Sequence, residues 1–317
     1  MADGHDHRTA GAEAAVTRTA VVVGGTGYLG RGVGAFLAAH EFRVVPFGRT
    51  EFDVSTQPIA ALTELLSGAD VVVNAAGALW QVTDEQMAAA NTVLVQRLLE
   101  AVSLLARPAR VVQLGSVYEY GPGHPGPVHE STPEHPETAY GRTKLAATQA
   151  MRRWPGSGVV LRCSTVVGPR APRAGLLGSV AHGLATPPLD PAAPHVLELP
   201  ALRGTVDVLD LRDLGAAVLA AATVPAEVPG VEVVNIASGD AVPVEFAVRR
   251  LIEISGVAVQ VVATGGGGSP RTAAGAPPIS IEQARRWLGW APRFGLDDAL
   301  RALWRYTSEA RTGASNT

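Results

Sequence analysis

A run of β-branched residues that ends in a glycine-rich turn most limits what this chain can fold into. The segment TAVVVGGTGYLGRG (19–32) places Gly24, Gly27 and Gly30 at three-residue intervals, after a short apolar run and before residues with helical spacing. β-branched residues favour a strand, and glycines let the backbone of the turn approach an anionic group at the helix N-terminus. The segment therefore predicts a strand, a turn and a helix that together bind the pyrophosphate of a dinucleotide.

Strand-like and helix-like segments keep alternating beyond this turn. Apolar strand-like runs lie at 19–25, 42–48, 69–77, 109–116 and 158–168. Segments with helical spacing lie between them, at 29–40, 58–68, 84–106 and 139–154. This alternation predicts an α/β fold, a doubly wound parallel sheet of the Rossmann type.

The regular alternation ends near Pro169, where proline-rich loops begin, and a Gly/Ser/Pro/Ala stretch follows at 264–278. We expect a disordered leader at 1–18, a dinucleotide-binding domain at 19–170, and a substrate-binding lobe over most of 171–317. The lobe should be smaller and entwined with the first domain, with some segments returning to the core. The stretch at 264–278 could close over a bound nucleotide.

Composition excludes several classes of function. A net charge of −3 gives no basic surface for nucleic acid or an anionic membrane. The single cysteine, Cys163, excludes an internal disulfide, and we expect no metal because the eight histidines lack metal-ligand spacing. Three of them lie in a proline-rich segment (121–137) that predicts an exposed loop. We find no membrane-spanning segment or secretory signal and expect a cytoplasmic protein.

The segment TAYGRTKLA (138–146) places Tyr140 four residues before Lys144. On a helix both side chains lie on the same face, so a phenol and an ammonium could point at one ligand. Taken alone, the pair also fits a half-buried tyrosine beside a surface lysine. The remaining motifs of the chain decide between these two interpretations.

The glycine turn, NAAG, LGSVYEYG and YGRTK follow one another in this order, and LRCSTVVGP, RGTVDVLDLRDLG, VVNIASG and LGWAPRFGLDDAL come after them. With these motifs the chain resembles the extended short-chain dehydrogenase/reductase family over about residues 19–306. The resemblance implies that Tyr140 is the proton donor or acceptor and that Lys144 lowers its pKa and binds the nicotinamide ribose. Ser116, five residues before Gly121, would hold the substrate oxygen.

The resemblance also implies a set of cofactor contacts. Asp53 would contact adenine, residues 74–77 would pass under the adenine ribose, and Asn91 would support the active site. Asp53 could instead cap the helix that begins at Pro58, and Asn91 could be an ordinary polar helix residue. The implied cofactor-binding residues are Gly24, Gly27, Tyr28, Leu29, Gly30, Arg49, Asp53, Val54, Asn74, Ala75, Ala76, Gly77, Asn91, Tyr140 and Lys144.

The end of the second strand indicates which dinucleotide binds. NAD sites place an acid there to bind the ribose 2′-hydroxyl, whereas this chain has Phe47, Gly48 and Arg49. A guanidinium can pair with a 2′-phosphate, so we expect NADPH rather than NADH. The alternative is that Arg49 is a surface residue in a turn.

Substrate contacts are implied for Tyr118, Thr165, Arg170 and Arg203. Two segments depart from the family pattern. Thr165 begins a Thr-Val-Val-Gly-Pro segment where Asn-Val-Tyr-Gly-Pro is common, and Asp207 stands where histidine is common. Because such positions face substrate in the family, the usual sugar-nucleotide contacts are not assumed.

The segment after Ser116 narrows the reaction. Dehydratases of the family have an Asp-Glu pair there, and Val117-Tyr118 occupy those positions, which argues against dehydration. SVYEYG resembles the segment of dTDP-4-keto-6-deoxyhexose 4-ketoreductases, in which an aromatic residue lines the sugar pocket. We therefore expect an NADPH-dependent ketoreductase of deoxysugar biosynthesis that acts on a dTDP-linked 4-keto-6-deoxysugar. The alternatives are a nucleotide-sugar 4-epimerase that retains NAD, a reductase of a non-sugar ketone, or a non-catalytic dinucleotide-binding regulator. Helices near 91–106 and 140–154 should pair in a homodimer.

Overall fold

The structure is a computed structural model that describes residues 17–79, 82–188, 193–225, 230–264 and 277–314. Its strands are β1 (Thr19–Val23), β2 (Arg43–Phe47), β3 (Val71–Asn74), β4 (Arg110–Ser116), β5 (Gly158–Cys163), β6 (Thr165–Val167), β7 (Val196–Leu199), β8 (Thr205–Asp210), β9 (Val231–Ile236), β10 (Ala241–Pro243) and β11 (Gln260–Ala263). Its helices are α1 (Tyr28–Ala38), α2 (Ile59–Leu65), α3 (Asp84–Ala88), α4 (Leu94–Ser103), α5 (Ala139–Arg153), α6 (Leu176–Ala185), α7 (Leu211–Thr223), α8 (Val244–Ser255) and α9 (Leu296–Ala314). Two π-helical turns (Ala89–Val93 and Ala284–Leu288) and one 3₁₀ turn (Val117–Glu119) complete the elements.

A six-stranded parallel sheet, in the order β2-β1-β3-β4-β5-β9, forms the centre of the structure. The chain leaves β1 toward β2 on one side and returns to β3 on the other. The loops after β1 and β3 therefore diverge and leave a crevice at the carboxyl ends of the strands. The predicted α/β fold of the Rossmann type is confirmed.

The apolar strands of this sheet are buried on both faces. Val22 and Val73 belong to one apolar cluster, and Val21 and Val72 belong to another on the opposite face. Alternate residues of a strand point to opposite faces, so near-continuous valine runs fit a sheet covered by helices on both sides.

The strand predicted at 158–168 divides at Ser164. β5 stays in the central sheet, whereas β6 pairs in parallel with β8 in a second sheet of order β10-β8-β6. A separate parallel pair, β7 and β11, was not predicted. The two small sheets and helices α6, α8 and α9 share an apolar cluster around Val180, Leu251 and Leu300.

Segments from late in the chain return to the first part of the fold. β9 extends the central sheet next to β5, and α7 packs against α1. The division of the chain at residue 170 stays a prediction. The leader up to residue 16 and positions 265–276 of the Gly/Ser/Pro/Ala stretch lie outside the described residues.

The proline-rich loop after β4 is more tightly held than its composition predicts. Val128 is fully buried, and its backbone forms hydrogen bonds with Pro278 and Ser280. Within the described ranges, no helix has the length and apolar character needed to cross a membrane. Over the same ranges, no group of three or more His, Cys, Asp or Glu side chains could hold a metal ion.

Candidate active site

The glycine turn between β1 and α1 has the shape that a dinucleotide requires. Gly24 has φ +75°, and a Cβ there would lie 2.7 Å from the backbone of Ala76. A Cβ on Gly30 would lie 2.1 Å from the carbonyl oxygen of Gly24, so these two positions need glycine for close backbone packing. Gly27 is the N-cap of α1 and provides no side-chain cap, so the first amides of the helix remain available for an anion.

A cavity of about 680 Å³ extends from this turn across the carboxyl ends of the strands to α6 and β8. The predicted site residues that line it are Gly24, Gly27, Tyr28, Leu29, Arg49, Asp53, Val54, Ala75, Ala76, Gly77, Ser116, Tyr118, Tyr140, Lys144 and Thr165. The predicted residues outside its lining are Gly30, Asn74, Asn91, Arg170 and Arg203. One cavity thus contains both the cofactor turn and the three residues implied to be catalytic.

Arg49 lies at the mouth of the cavity, directly after β2. Its side chain is 84% exposed and its Nε lies 3.3 Å from Asp53 Oδ2. Asp53 also accepts hydrogen bonds from the hydroxyl and amide of Ser55, which together with Arg49 lower its carboxyl pKa. These bonds replace the helix-capping role considered for Asp53, because α2 has no side-chain cap. Glu51 bends back so that its Oε2 accepts a hydrogen bond from the Gly48 amide at 2.9 Å.

Asn74 and Asn91 shape the loop after β3 from behind the cavity. Asn74 is fully buried, donates to Gln113 Oε1 and accepts from the Ala76 amide. Asn91 lies in the π-helical turn, binds both backbone groups of Ala78, and donates to Thr143 Oγ1 at 3.0 Å. These hydrogen bonds hold the loop after β3 against α5, next to Lys144. π-helical turns are rare and occur often at functional sites, which agrees with this position.

Ser116, Tyr140 and Lys144 come from two neighbouring elements. Ser116 ends β4, and its Oγ accepts a hydrogen bond from the Tyr118 amide at 3.2 Å. A hydroxyl used in this way keeps its own proton to donate to a ligand. Tyr140 lies in the first turn of α5, where Thr138 caps the helix, so the residue belongs to the positive end of the helix dipole.

Lys144 is buried one turn further along α5. Its Nζ donates to the Leu114 carbonyl at 2.7 Å and lies 6.0 Å from the centre of the Tyr140 ring. Burial lowers the pKa of Lys144, whereas Glu119 and Cys163 act in the opposite direction. It is also the single lysine of the chain, against 25 arginines. The one lysine in the sequence therefore lies where its ammonium group is near the Tyr140 ring.

Tyr118 and Cys163 also line the cavity. Tyr118 meets Tyr140 edge to face, with ring centres 6.1 Å apart. Cys163 pairs with Ser116 across β4 and β5 and is 6% exposed, and burial raises the pKa of its thiol to about 12. Cys163 lies within the strand-like run predicted at 158–168, and nothing in that run indicated that its side chain also lines the cavity.

Glu119 is fully buried next to Ser116, so its carboxyl group is a possible second proton donor. Its carboxylate binds Arg162, the Thr148 hydroxyl and the Ser116 amide. Every one of these contacts is an ion pair or a hydrogen bond to the carboxylate. The geometry therefore gives Glu119 a structural connection to Ser116 and not the position of a proton donor.

The positions expected to face substrate divide into two groups. Thr165 and Val166 line the cavity, as expected. Asp207, by contrast, is 1% exposed and accepts hydrogen bonds from the Ser164 hydroxyl and the amides of Ser238 and Gly239. The expectation that Asp207 faces substrate is wrong, because its carboxylate connects β8 to the ends of β5 and β9.

Neither predicted substrate arginine lies in the cavity lining. The Arg170 guanidinium stacks over the Tyr306 ring at 5.0 Å, on a backbone with φ +67°. Arg203 is exposed in the loop before β8. Among the described residues that line the cavity, the cationic ones are Arg49 and Lys144.

Comparison with known proteins identifies the family of this chain. The NAD dependent epimerase/dehydratase family matches residues 20–237. The chain belongs to this family. The resemblance drawn from its motifs is therefore confirmed, and the protein is an NAD(P)-dependent oxidoreductase.

One curated relative is similar over almost its full length. It is dTDP-6-deoxy-L-talose 4-dehydrogenase (NAD(P)(+)) of Kitasatospora kifunensis, which is 41% identical over 311 residues, covering 91% of this chain and 95% of the relative. This identity is high enough to show a common family over the part of the chain that is covered.

Solved structures of several other proteins share the fold. MoeE5 in complex with UDP-glucuronic acid and NAD has a TM-score of 0.77 at 22% identity, over 92% of this chain and 99% of that one. RMD from Pseudomonas aeruginosa complexed with NADPH has a TM-score of 0.77 at 21% identity, over 93% of this chain and 98% of that one. UDP-glucose-4-epimerase from Stenotrophomonas maltophila with bound NAD has a TM-score of 0.80 at 20% identity, over 94% of this chain and 99% of that one. At these identities the likeness shows the fold alone.

Proposed function

We propose that the protein is an NADPH-dependent ketoreductase that reduces the C4 keto group of a dTDP-linked 4-keto-6-deoxysugar. The observation that carries the proposal is the meeting of Ser116, Tyr140 and Lys144 in the cavity that contains the glycine turn. The relative at 41% identity is named for oxidation at C4 of a dTDP-6-deoxysugar. A 4-dehydrogenase and a 4-ketoreductase catalyse one reaction in opposite directions, so this name supports the chemistry proposed.

The three residues divide the work at the carbonyl. Bound in the cavity, the reduced nicotinamide supplies a hydride to the carbonyl carbon. Tyr140 gives its proton to the carbonyl oxygen, and Ser116 donates a hydrogen bond to the same oxygen. Lys144 stabilises the phenolate that remains on Tyr140, because its ammonium lies 6.0 Å from the ring centre. The ketone becomes a secondary alcohol, and solvent returns the proton to Tyr140.

The preference for NADPH rests on the end of β2. Gly48 provides no carboxylate for a ribose 2′-hydroxyl, and the exposed Arg49 guanidinium would exchange its contact with Asp53 for one with a 2′-phosphate. The nearby Glu51 carboxylate, bound to the Gly48 amide, opposes a second negative charge at this point. The preference should therefore be moderate, with some use of NADH. The name of the curated relative includes both cofactors.

The substrate half of the cavity suits a deoxysugar. Its walls near α6 are apolar and include Val166, Ala171, Leu176, Leu177 and Val206. A methyl group at C6 would be placed favourably on such a surface, whereas a hydroxymethyl would lose its hydrogen bonds to water. Tyr118 and Thr165 are proposed to contact the sugar. The arginines 170 and 203 would need to move to contact its diphosphate.

Two further proposals concern the environment of the enzyme. We infer a homodimer in which residues 91–106 and 140–154 of two copies pair, on the pattern of partly exposed apolar positions such as Val93, Leu145 and Ala146. A sedimentation experiment giving the mass of one 32.7 kDa chain would contradict it.

A cytoplasmic location follows from the proposed substrates, which are phosphates that do not cross membranes unaided.

The test offers purified protein a dTDP-4-keto-6-deoxyhexose with NADPH or NADH, follows the loss of reduced cofactor, and identifies the product by NMR. We expect a C4 alcohol and faster turnover with NADPH. A C4 epimer formed without net consumption of cofactor would instead indicate a 4-epimerase. Reduction of an unlinked ketone alone would exclude the nucleotide sugar, and cofactor binding without any turnover would indicate a regulator.

A further inference from the structure

Glu119 and Arg162 form a fully buried ion pair directly behind the candidate active site. Arg162 Nε lies 2.8 Å from Glu119 Oε2, and both side chains have 0% exposure. Arg162 also contacts Glu134 Oε1 at 2.7 Å and stacks over the Tyr120 ring at 4.5 Å. A buried ion pair is weak evidence for stability, because burying two charges is costly and apolar replacements often perform as well. Stability of the core alone therefore does not explain why this ion pair is buried here.

The Glu119 carboxylate connects the two elements that carry the candidate catalytic residues. Its Oε1 accepts a hydrogen bond from the Ser116 amide at 2.8 Å, at the end of β4. Its Oε2 accepts from Thr148 Oγ1 at 2.8 Å, on α5 one helical turn after Lys144. Gly115 leaves room for this arrangement, since a Cβ there would lie 2.8 Å from Glu119 Oε1. A single carboxylate thus sets the distance between Ser116 and the helix that carries Tyr140 and Lys144.

The same carboxylate affects the charge of Lys144. Glu119 and Cys163 are the groups that favour the charged ammonium, against the effect of burial. The Cys163 thiol is neutral near neutral pH because its pKa is raised to about 12. Of the other groups near Lys144, the Tyr140 phenol faces it from α5 and Arg162 lies beyond Glu119. The negative charge that supports the ammonium therefore comes from Glu119.

We propose that Glu119 is a positioning residue for the reaction, which holds Ser116 in place relative to α5, the helix that carries Tyr140 and Lys144. The inference rests on the proposed roles of Ser116 and Lys144. Glu134 provides a matched comparison, because it also pairs with Arg162 but contacts Arg152 instead of Ser116 or Thr148. Glu119→Gln and Glu134→Gln each remove one negative charge that pairs with Arg162. Of the two, Glu119→Gln also alters the contact with Ser116.

The experiment compares Glu119→Gln, Glu134→Gln and Glu119→Asp with the unaltered enzyme. Thermal melting and NADPH affinity first show which variants fold and bind. Because Lys144 is the single lysine, protein grown with lysine labelled at Cε gives one NMR signal, whose pH titration reports this ammonium without any substrate. Steady-state kinetics then separate kcat from KM over a range of pH.

For Glu119→Gln we expect kcat to fall about ten- to a hundredfold, because a displaced Ser116 no longer meets the carbonyl oxygen. The lysine titration and the alkaline limb of the kcat profile should both move to lower pH, since removing a negative charge eases the loss of any nearby proton. Glu119→Asp keeps the charge but is one methylene shorter, so it should lower kcat and leave the lysine titration near that of the unaltered enzyme. Glu134→Gln should change kcat by less than about twofold.

Two results would overturn the proposal. One is a folded Glu119→Gln protein with unchanged kcat and an unchanged lysine titration. The other is an equal loss in Glu134→Gln, which would assign the effect to Arg162 alone. If Glu119→Gln does not fold, Glu119→Asp decides, and normal kcat in that variant rejects the positioning role. Failure of the unaltered enzyme to reduce any ketosugar would reject the proposed function, while the lysine titration would still test the role of Glu119.

Discussion

The strongest single test of the active site removes one oxygen atom from Tyr140. Tyr140→Phe keeps the ring, its edge contact with Tyr118 and its place beside Lys144, so volume and packing change little. What disappears is the proton donor at the carbonyl oxygen. Loss of a general acid typically costs 10²- to 10⁴-fold in rate, which corresponds to about 3–5 kcal/mol of transition-state stabilisation. We therefore expect kcat to fall by at least about a hundredfold.

A second tyrosine in the same cavity provides a control variant for this substitution. Tyr118 also lines the cavity, and its ring centre lies 6.1 Å from that of Tyr140, so Tyr118→Phe deletes the same atom from a neighbouring phenol. If Tyr118 only contacts the sugar, its variant should raise KM by about tenfold or less and leave kcat nearly unchanged. Both variants should bind NADPH as the unaltered enzyme does, because neither changes the glycine turn.

The assay measures NADPH consumption at saturating ketosugar, with cofactor affinity from fluorescence titration and folding from thermal melting. If Tyr140→Phe kept more than a few per cent of normal kcat, Tyr140 would not be the proton donor. A large loss of kcat in Tyr118→Phe with little loss in Tyr140→Phe would exchange the two roles. Equal losses in both would show that the variants disturb a shared packing arrangement instead of the chemistry.

Three further substitutions test the rest of the site. Arg49→Glu should shift the ratio of kcat/KM for NADPH and NADH about fivefold toward NADH, since an exposed ion pair contributes about 1 kcal/mol, whereas Arg43→Glu at the far end of β2 should leave the ratio unchanged. Gly30→Ala places a Cβ 2.1 Å from a backbone oxygen, so it should destabilise the protein by about 1–3 kcal/mol and weaken NADPH binding, while Gly126→Ala, with nothing within 4 Å, should melt normally. Lys144→Met should lower kcat/KM about a hundredfold, because its Nζ lies 6.0 Å from the centre of the Tyr140 ring and a pair of unit charges about 6 Å apart contributes about 3 kcal/mol at an effective dielectric constant of about 20; normal turnover in this variant would contradict the mechanism.

Much of the site could be predicted because it depends on local spacing. The glycine intervals at 24, 27 and 30 allow the tight turn through local geometry, since Gly24 has φ +75° and a Cβ on Gly30 would lie 2.1 Å from the Gly24 carbonyl oxygen. Tyr140 and Lys144 share a face because they are four residues apart on one helix. Alternating strands and helices limit the fold to a covered parallel sheet, which is the sheet observed.

The sequence by itself therefore determined the fold class, the cofactor turn and the candidate catalytic residues of this protein. Tertiary structure alone decided the rest. Arg162 forms an ion pair with Glu119, 43 residues away, only because β5 pairs with β4 in one register. Asp207 turns from the cavity to the amides after β9, and Arg170 stacks on Tyr306 near the other end of the chain. Such contacts join residues distant in sequence, and their partners are fixed by strand order and helix packing, which no local spacing encodes.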